Sequence, residues 1–292
     1  MSVTLREIES QPDTWRRAAA LVSQVASRLP SPGQRIAVIG CGTSYYVAQA
    51  VAVARESAGA GESDAFVASE MPAGRGYDAV LAISRSGTTT EVVRALMALP
   101  ADVPSLAISA VPDSPVVRTA HDAVLLPFAD EESIVQTRFA TTALALLRAH
   151  FGDDLQPGIV DAERCLGLPL TPDPSSFEHF VFLGHGWTVG LAFEGALKFR
   201  EAAGAWAEAY PAMEYRHGPI SVAGSGSLVW FLGPAGADLI SDIEATGATV
   251  LAGTLDPMAE LLQIQRAAVA LAQARGLDPD QPQHLTRSVV LP

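Results

Sequence analysis

Arg35–Ser44 reads RIAVIGCGTS, and this stretch decides the fold. RIAVIG (Arg35–Gly40) is a short β-branched run that ends in glycine, which predicts a buried strand. Ser44–Glu56 then carries small and apolar residues at helical spacing and predicts a helix. Between them, GCGTS forms the turn. Its glycines allow the backbone a tight turn and a close approach to a ligand, and the following helix start offers unpaired N–H groups. Thr43 and Ser44 add hydroxyls. The same geometry also serves an ordinary junction with Ser44 as helix cap. It is not a dinucleotide fingerprint, because Tyr46 falls near the place of the third glycine.

Outward from this junction the alternation continues. Ala65–Ser69, Ala79–Ser84, Ser105–Val111 and Ala123–Pro127 read as short strands, and Thr90–Leu99 and Thr137–His150 as helices. Apolar strands alternating with helices predict βαβ units and a parallel sheet covered on both faces. Gly167–Ser176 (GLPLTPDPSS) is Pro-rich and aperiodic, the composition of a linker. Beyond it strands are expected at His179–Gly184, Ser227–Gly233 and Ala248–Thr254, with helices at Thr188–Gly204, Ala237–Thr246 and Pro257–Arg275. The second half opens as the first does, LGHGWTVGLAF against IGCGTSYYVAQ, a weak internal duplication. Ahead of both halves, Trp15–Arg28 reads as a helix without chemistry. The expected layout is an N-terminal helical segment (1–30), a first domain (31–166), a linker (167–176), a second domain (177–276) and a tail (277–292).

The chain has 292 residues, 49% of them hydrophobic, which suits two domains with substantial cores and excludes a disordered chain. Its two cysteines, Cys41 and Cys165, exclude a disulfide scaffold and a multi-cysteine zinc site. No cofactor and no metal site is expected, since HExxH and paired Cys or His motifs are absent. The polar start MSVTLREIESQPDTW is neither a signal nor a transit peptide, and no apolar run reaches bilayer length. Nineteen basic residues against 32 acidic give a net charge of −13, which disfavours nucleic acid and anionic membranes. The expectation is a cytoplasmic protein whose anionic ligands are held by local groups.

Three further segments carry chemistry. Ser84–Thr90 (SRSGTTT) has five hydroxyls, a glycine and Arg85 before a predicted helix, enough short donors to surround a phosphate. Both hydroxyl-bearing turns lie at carboxyl ends of predicted strands, where open parallel sheets bind ligands. Arg85 adds a fixed charge. In FEGALKFREAAG, Glu194, Lys198 and Glu201 stand at i, i+4 and i+7, on one face of a helix otherwise rich in Ala, Leu, Phe and Gly. Such a set is either a surface ion pair or acid–base equipment beside a cavity. EAYPAMEYRHGP (Glu208–Pro219) contains His217, a proton shuttle at neutral pH or a turn residue.

Taken in order, CGTSYYVAQ, SRSGTTTE, EESIVQTRFATT, FEGALKFREA and AEAYPAMEYRHGP, with a basic residue near the C-terminus, resemble the sugar isomerase (SIS) domain proteins. The likeness is greatest to the isomerase half of glucosamine-6-phosphate synthase and to stand-alone aminosugar-phosphate deaminases and deglycases. The resemblance implies an α/β fold of two tandem flavodoxin-like domains, each a parallel sheet flanked by helices, in a homodimer with the site at the interface. It implies a phosphorylated sugar or aminosugar as ligand. Thr43 and Ser44 match sugar- and phosphate-binding positions, and Ser84, Ser86 and Thr89 match phosphate ligands. Glu201 matches the carboxylate that moves a proton between C1 and C2, Lys198 the lysine of the same helix, and His217 the ring-opening histidine contributed by the partner. Thr286 and Arg287 align with the Ala-Lys step of the tail that closes over the sugar.

There are departures from the family pattern. Arg85 stands where the synthases have Gln, Thr88 where they have Glu, and Arg287 where they have Lys. A guanidinium stays protonated and forms no Schiff base. Position 2 is Ser2, with no N-terminal cysteine nucleophile, so glutamine-driven synthesis is not expected. The expected function is an aminosugar-phosphate isomerase/deaminase acting on a hexosamine 6-phosphate-like substrate. The alternatives are a fructose-amine 6-phosphate deglycase and a phosphosugar-binding sensor without turnover.

Overall fold

The computed structural model describes residues 2–291. It divides into two compact units, each built on its own parallel sheet. The first comprises residues 13–155 and the tail from Thr286 onward; the second comprises the residues up to Pro12 and Gln156–Leu285.

In the first unit, β1 (Ile36–Gly40) is buried along its whole length and is an interior strand, second in a five-stranded sheet. It pairs on one side with β2 (Ser63–Val67) and on the other with β3 (Ala79–Ile83), followed by β4 (Ser105–Ser109) and the short β5 (Asp122–Leu125). Every pairing is parallel, as continuous apolar runs require. The long helices are α3 (Thr43–Ser57), α4 (Thr90–Met97) and α6 (Arg138–His150); α5 (Pro115–Thr119) is a single turn and a half. One core layer gathers Ala37, Ile39, Val80, Ala82, Val92 and Leu96 between sheet and α4. On α6, Thr141 accepts from Trp15 Nε1 at 2.9 Å and Thr142 donates to Thr14 at 2.7 Å, which ties α2 (Gln11–Val25) to the unit.

In the second unit the sheet order is β7 (Trp206–Pro211), β6 (His179–Gly184), β8 (Ser227–Leu232), β9 (Thr249–Leu251), again all parallel. Its helices are α7 (Gln156–Leu166), α8 (Thr188–Ala203), α9 (Ala237–Glu244) and α10 (Pro257–Ala274). The opening helix α1 (Val3–Glu9) is held here, because Asp280 accepts from the N–H groups of Val3 and Thr4 and from the Thr4 hydroxyl. Among the described residues no helix is long and apolar enough to cross a membrane.

The two strand–glycine–helix junctions have one geometry. A Cβ on Gly40 would stand 2.6 Å from the Ser44 carbonyl, and one on Gly184 would stand 2.4 Å from the Thr188 carbonyl oxygen. Each glycine lets the helix start press against the strand end.

The layout departs from the sequence expectation in several places. The division falls after Leu155, not after residue 166, because α7 packs on α10: Arg266 donates to the Cys165 carbonyl at 2.6 Å, and Asp161 accepts from Asp256 N–H at 2.9 Å. Residues 1–30 are not a separate segment but two helices divided between the units. The tail is likewise divided, at Leu285. The strand expected at Ala65–Ser69 ends at Val67, since Ala68–Glu70 turns into a 3-10 helix. The edge strand β7 lies within a segment too polar to suggest one.

Candidate functional site

At the head of α3, Gly42 occupies the cap position with φ 54°, and Thr43 and Ser44 are the first helical residues. Ser44 is therefore inside the first turn and not its cap. Both side chains are buried. Burial pushes the neighbouring Cys41 thiol up to about 11, so it stays protonated and unreactive at neutral pH.

The loop from Ser84 to Thr90 is folded on its own hydroxyls. Ser84 Oγ accepts from Gly87 N–H at 3.2 Å. Ser86 Oγ accepts from Thr88 N–H at 3.2 Å and from the Thr88 hydroxyl at 3.0 Å. Thr89 is the cap residue of α4 but makes no side-chain cap bond. Gly87 is pressed against the next loop, where an added Cβ would fall 1.9 Å from Ser114 Oγ.

Arg85 differs from its expected place as a charge facing the ligand. It is 4% exposed, and its guanidinium donates to the carbonyls of Ser133, Ile134 and Arg287 at 2.9, 3.2 and 2.9 Å. Glu131 lies 3.5 Å from it. Five hydrogen-bond donors in a fixed fork suit this bracing of backbone, which lysine could not reproduce. Glu131 itself was not singled out in the sequence. Its buried carboxylate accepts from the N–H groups of Thr137, Arg138 and Phe139 and from the Thr137 hydroxyl, closing the start of α6. The pair of acids heading EESIVQTRFATT was the only signal for it.

The tail runs along this loop. Ser288 and Thr88 share a hydroxyl hydrogen bond of 2.6 Å, the Val289 carbonyl accepts from Thr90 N–H at 3.2 Å, and Leu291 N–H donates to Thr90 Oγ1 at 2.9 Å. Arg287 pairs with Asp130 at 2.5 Å, and Thr286 donates to the Ser288 carbonyl at 2.9 Å. The side chains of Thr286 and Arg287 are thus engaged within the tail and with Asp130.

In the second unit, α8 brings its three charged residues together. Lys198 is 1% exposed; its Nζ stands 3.2 Å from Glu194 Oε1 and 2.5 Å from Glu201 Oε2. Burial alone would lower the lysine; the two carboxylates outweigh it and hold the ammonium above the ordinary value. Glu194 is fully buried, whereas the Glu201 side chain is 20% exposed. Glu201 Oε1 has no hydrogen bond among the described residues. The set is therefore an ammonium locked on a partly open carboxylate, not the exposed surface pair. His217 ends the 3-10 segment Ala212–His217 after β7; it is exposed and makes no side-chain hydrogen bond among the described residues.

Residues 31–150 match the SIS domain family model. The glutamine–fructose-6-phosphate aminotransferase (isomerizing) of Methanothermobacter thermautotrophicus is 26% identical over 336 residues, covering 98% of this chain and 57% of that protein. The enzyme of the same name from Neisseria meningitidis serogroup B is 28% identical over 318 residues, covering 88% and 51%. The chain thus spans about half the length of the curated relatives it matches. Among solved structures, the glucosamine-6-phosphate deaminase of Thermotoga maritima superposes with a TM-score of 0.83 at 26% identity, over 99% of this chain and all of that one. Tagatose-6-phosphate ketose/aldose isomerase from Escherichia coli shares the fold, with a TM-score of 0.82 at 19% identity over 100% of this chain and 97% of that one. Residues 31–150 are accordingly similar to SIS domains, and the relatives and solved structures above are what the chain as a whole resembles.

Proposed function

We propose that the chain is an aminosugar-phosphate isomerase/deaminase acting on a hexosamine 6-phosphate-like substrate, built as two tandem SIS domains and working as a homodimer. The observation that carries this reading is the buried Lys198 ammonium held between Glu194 and Glu201, with one Glu201 oxygen left unbonded. Binding the substrate's phosphate falls to Ser84, Ser86 and Thr89, with Thr43 and Ser44 at the neighbouring helix start. His217 assists ring opening. Glu201 takes the proton from C2 of the open-chain amine and returns it to C1 while the nitrogen gives up one proton and the C1 oxygen gains one, which converts the aldehyde and C2 amine into a C2 imine and a C1 alcohol. Water then adds to the imine carbon and ammonia leaves, so atoms and charge balance. Lys198 serves to keep Glu201 ionised and aimed, because an ammonium stabilised by two carboxylates is a poor base.

Proton transfer by a positioned carboxylate contributes about 10²–10⁴-fold. Glu201→Gln is therefore expected to bind glucosamine 6-phosphate with unchanged affinity and to lose ammonia release by that order. Full turnover in this variant overturns the reading. A panel that includes fructose-amine 6-phosphates separates the deaminase from a deglycase, and binding without turnover of any member would identify a sensor. Sedimentation of the intact chain tests the homodimer.

A further inference from the structure

The crossover from β2 to β3 contains only the Ala68–Glu70 turn and the loop after it, not a full helix. Beside α4 this leaves a cavity of about 640 Å³. Its walls are mainly apolar: Met71 and Tyr77 from the crossover, Ala98 and Leu99 at the far end of α4, Val103 beyond it, and Leu291 of the tail. Cavities of roughly 300–1,000 Å³ with an apolar lining and few polar groups are the usual form of small-molecule sites.

One polar group in the wall is unsatisfied. Glu91, in the first turn of α4, has its Oε2 atom shut off from solvent, and neither carboxylate oxygen has a hydrogen-bond or ion-pair partner among the described residues. The cations on the wall do not supply one. Arg75 is engaged with the Tyr77 hydroxyl at 3.4 Å, with Asp64 at 3.6 Å and with the Phe66 ring, and Arg94 is not free either. A carboxylate held beside apolar walls calls for a cation, since a charge removed from water without a partner is costly. The net charge of −13 further favours the approach of a cation.

We propose that this cavity is a binding site for a small molecule with an apolar body and a single ammonium group, the ammonium meeting Glu91 and the body lying along α4. None of the residues assigned to phosphate binding or proton transfer lines it, so the site is distinct from the proposed reaction centre. Because Leu291 forms part of the wall and its N–H bonds Thr90, an occupant touches the same tail that runs along the hydroxyl loop.

The test is calorimetric titration of the full chain with 4-phenylbutylamine, with 4-phenylbutyrate as the same body of opposite charge and butylamine as the same head with a smaller body. Saturable one-to-one binding of 4-phenylbutylamine is expected, weakened about tenfold or more by Glu91→Gln and in both comparison compounds. Ala98→Trp, which fills the cavity from an exposed position, is expected to abolish it. Thermal unfolding confirms that the variants are folded; should Ala98→Trp fail to fold, Ala73→Trp on the opposite wall takes its place. The proposal is overturned by equal affinity for 4-phenylbutyrate, by unchanged affinity in Glu91→Gln, by binding that survives the tryptophan, or by the absence of saturable binding.

Discussion

Replacing Lys198 by Met keeps the length of the side chain and deletes its charge. Glu194 is 0% exposed and Lys198 1% exposed, so solvent cannot substitute for the lost ammonium. Removing one partner of a buried ion pair costs about 3–5 kcal/mol, because the other charge is left in a medium that does not solvate it. At roughly 2–4 °C per kcal/mol, the midpoint of thermal unfolding should fall by about 6–20 °C. The direction with pH is also fixed. The lysine is raised in the folded protein, so its contribution is complete at pH values below the unfolded lysine value and is lost only as pH rises through the folded one. The parent protein should therefore keep this stability across the neutral range and lose it only in strong alkali. In Lys198→Met the stranded carboxylate can be neutralised by a proton, so the deficit should shrink as pH falls. Scanning calorimetry at several pH values, with Glu194→Gln and the double variant completing a cycle, separates the pair from its parts. A Lys198→Met protein that melts within about 2 °C of the parent at neutral pH would refute the argument that this cluster is a buried, mutually dependent unit.

Other substitutions test the first unit. Ser86→Ala and Thr89→Ala should each raise KM for a phosphosugar by about tenfold with little change in kcat, as expected for ground-state contacts; an equal effect on an unphosphorylated sugar argues against phosphate binding there. Gly87→Val should destabilise by about 1–3 kcal/mol, since its Cβ would overlap Ser114 Oγ, measured by urea unfolding. Arg85→Ala removes the donor to the Arg287 carbonyl and should speed carboxypeptidase trimming of the tail; trimming at the parental rate would show that the Ser288, Val289 and Leu291 contacts suffice. Glu131→Gln, by contrast, keeps an acceptor for the α6 N–H groups and should cost less than Glu131→Ala in the same unfolding measurement.

The sheet strands were legible because parallel strands covered on both faces are near-continuous apolar runs, as β1, β6 and β8 are apart from His179 and Ser227 at the starts of the latter two. The edge strand β7 was not: its burial alternates, its residues include Glu208 and Tyr210, and its pairing with β6 depends on a neighbour that local sequence does not reveal. Helix α7 was missed for a related reason, since its apolar positions acquire meaning only against α10. The i, i+4, i+7 spacing on α8 was enough to place three charges on one face, but spacing cannot distinguish a wet face from a buried one. Arg85 shows the limit most clearly. A guanidinium in a hydroxyl-rich loop reads as a ligand for an anion, and only the positions of three carbonyls and Glu131 show it bracing backbone instead.

The two sheets also suggest how the chemistry is divided. Strand by strand, β1, β2, β3 and β4 correspond in order to β6, β7, β8 and β9, and the elbows at Gly40 and Gly184 share a geometry. Equivalent positions nevertheless carry different equipment. The segment after β3 is SRSGTTT, whereas the segment after β8 is GPAG (Gly233–Gly236), which has no side-chain donor. The helix after the first elbow, α3, contains Arg55, whose guanidinium is buried and spent on the carbonyls of Gln34, Glu62 and Ser31, while the helix after the second elbow, α8, keeps Glu194, Lys198 and Glu201. A loop of hydroxyls can hold an anion but cannot shuttle a proton from carbon, because an alcohol is too weak a base at neutral pH. A carboxylate locked to a lysine can move that proton but repels a phosphate. In the proposed reaction the phosphate-holding and proton-moving groups stand on different sheets, so exchanging GPAG for a hydroxyl-bearing loop after β8 should leave ammonia release unimproved.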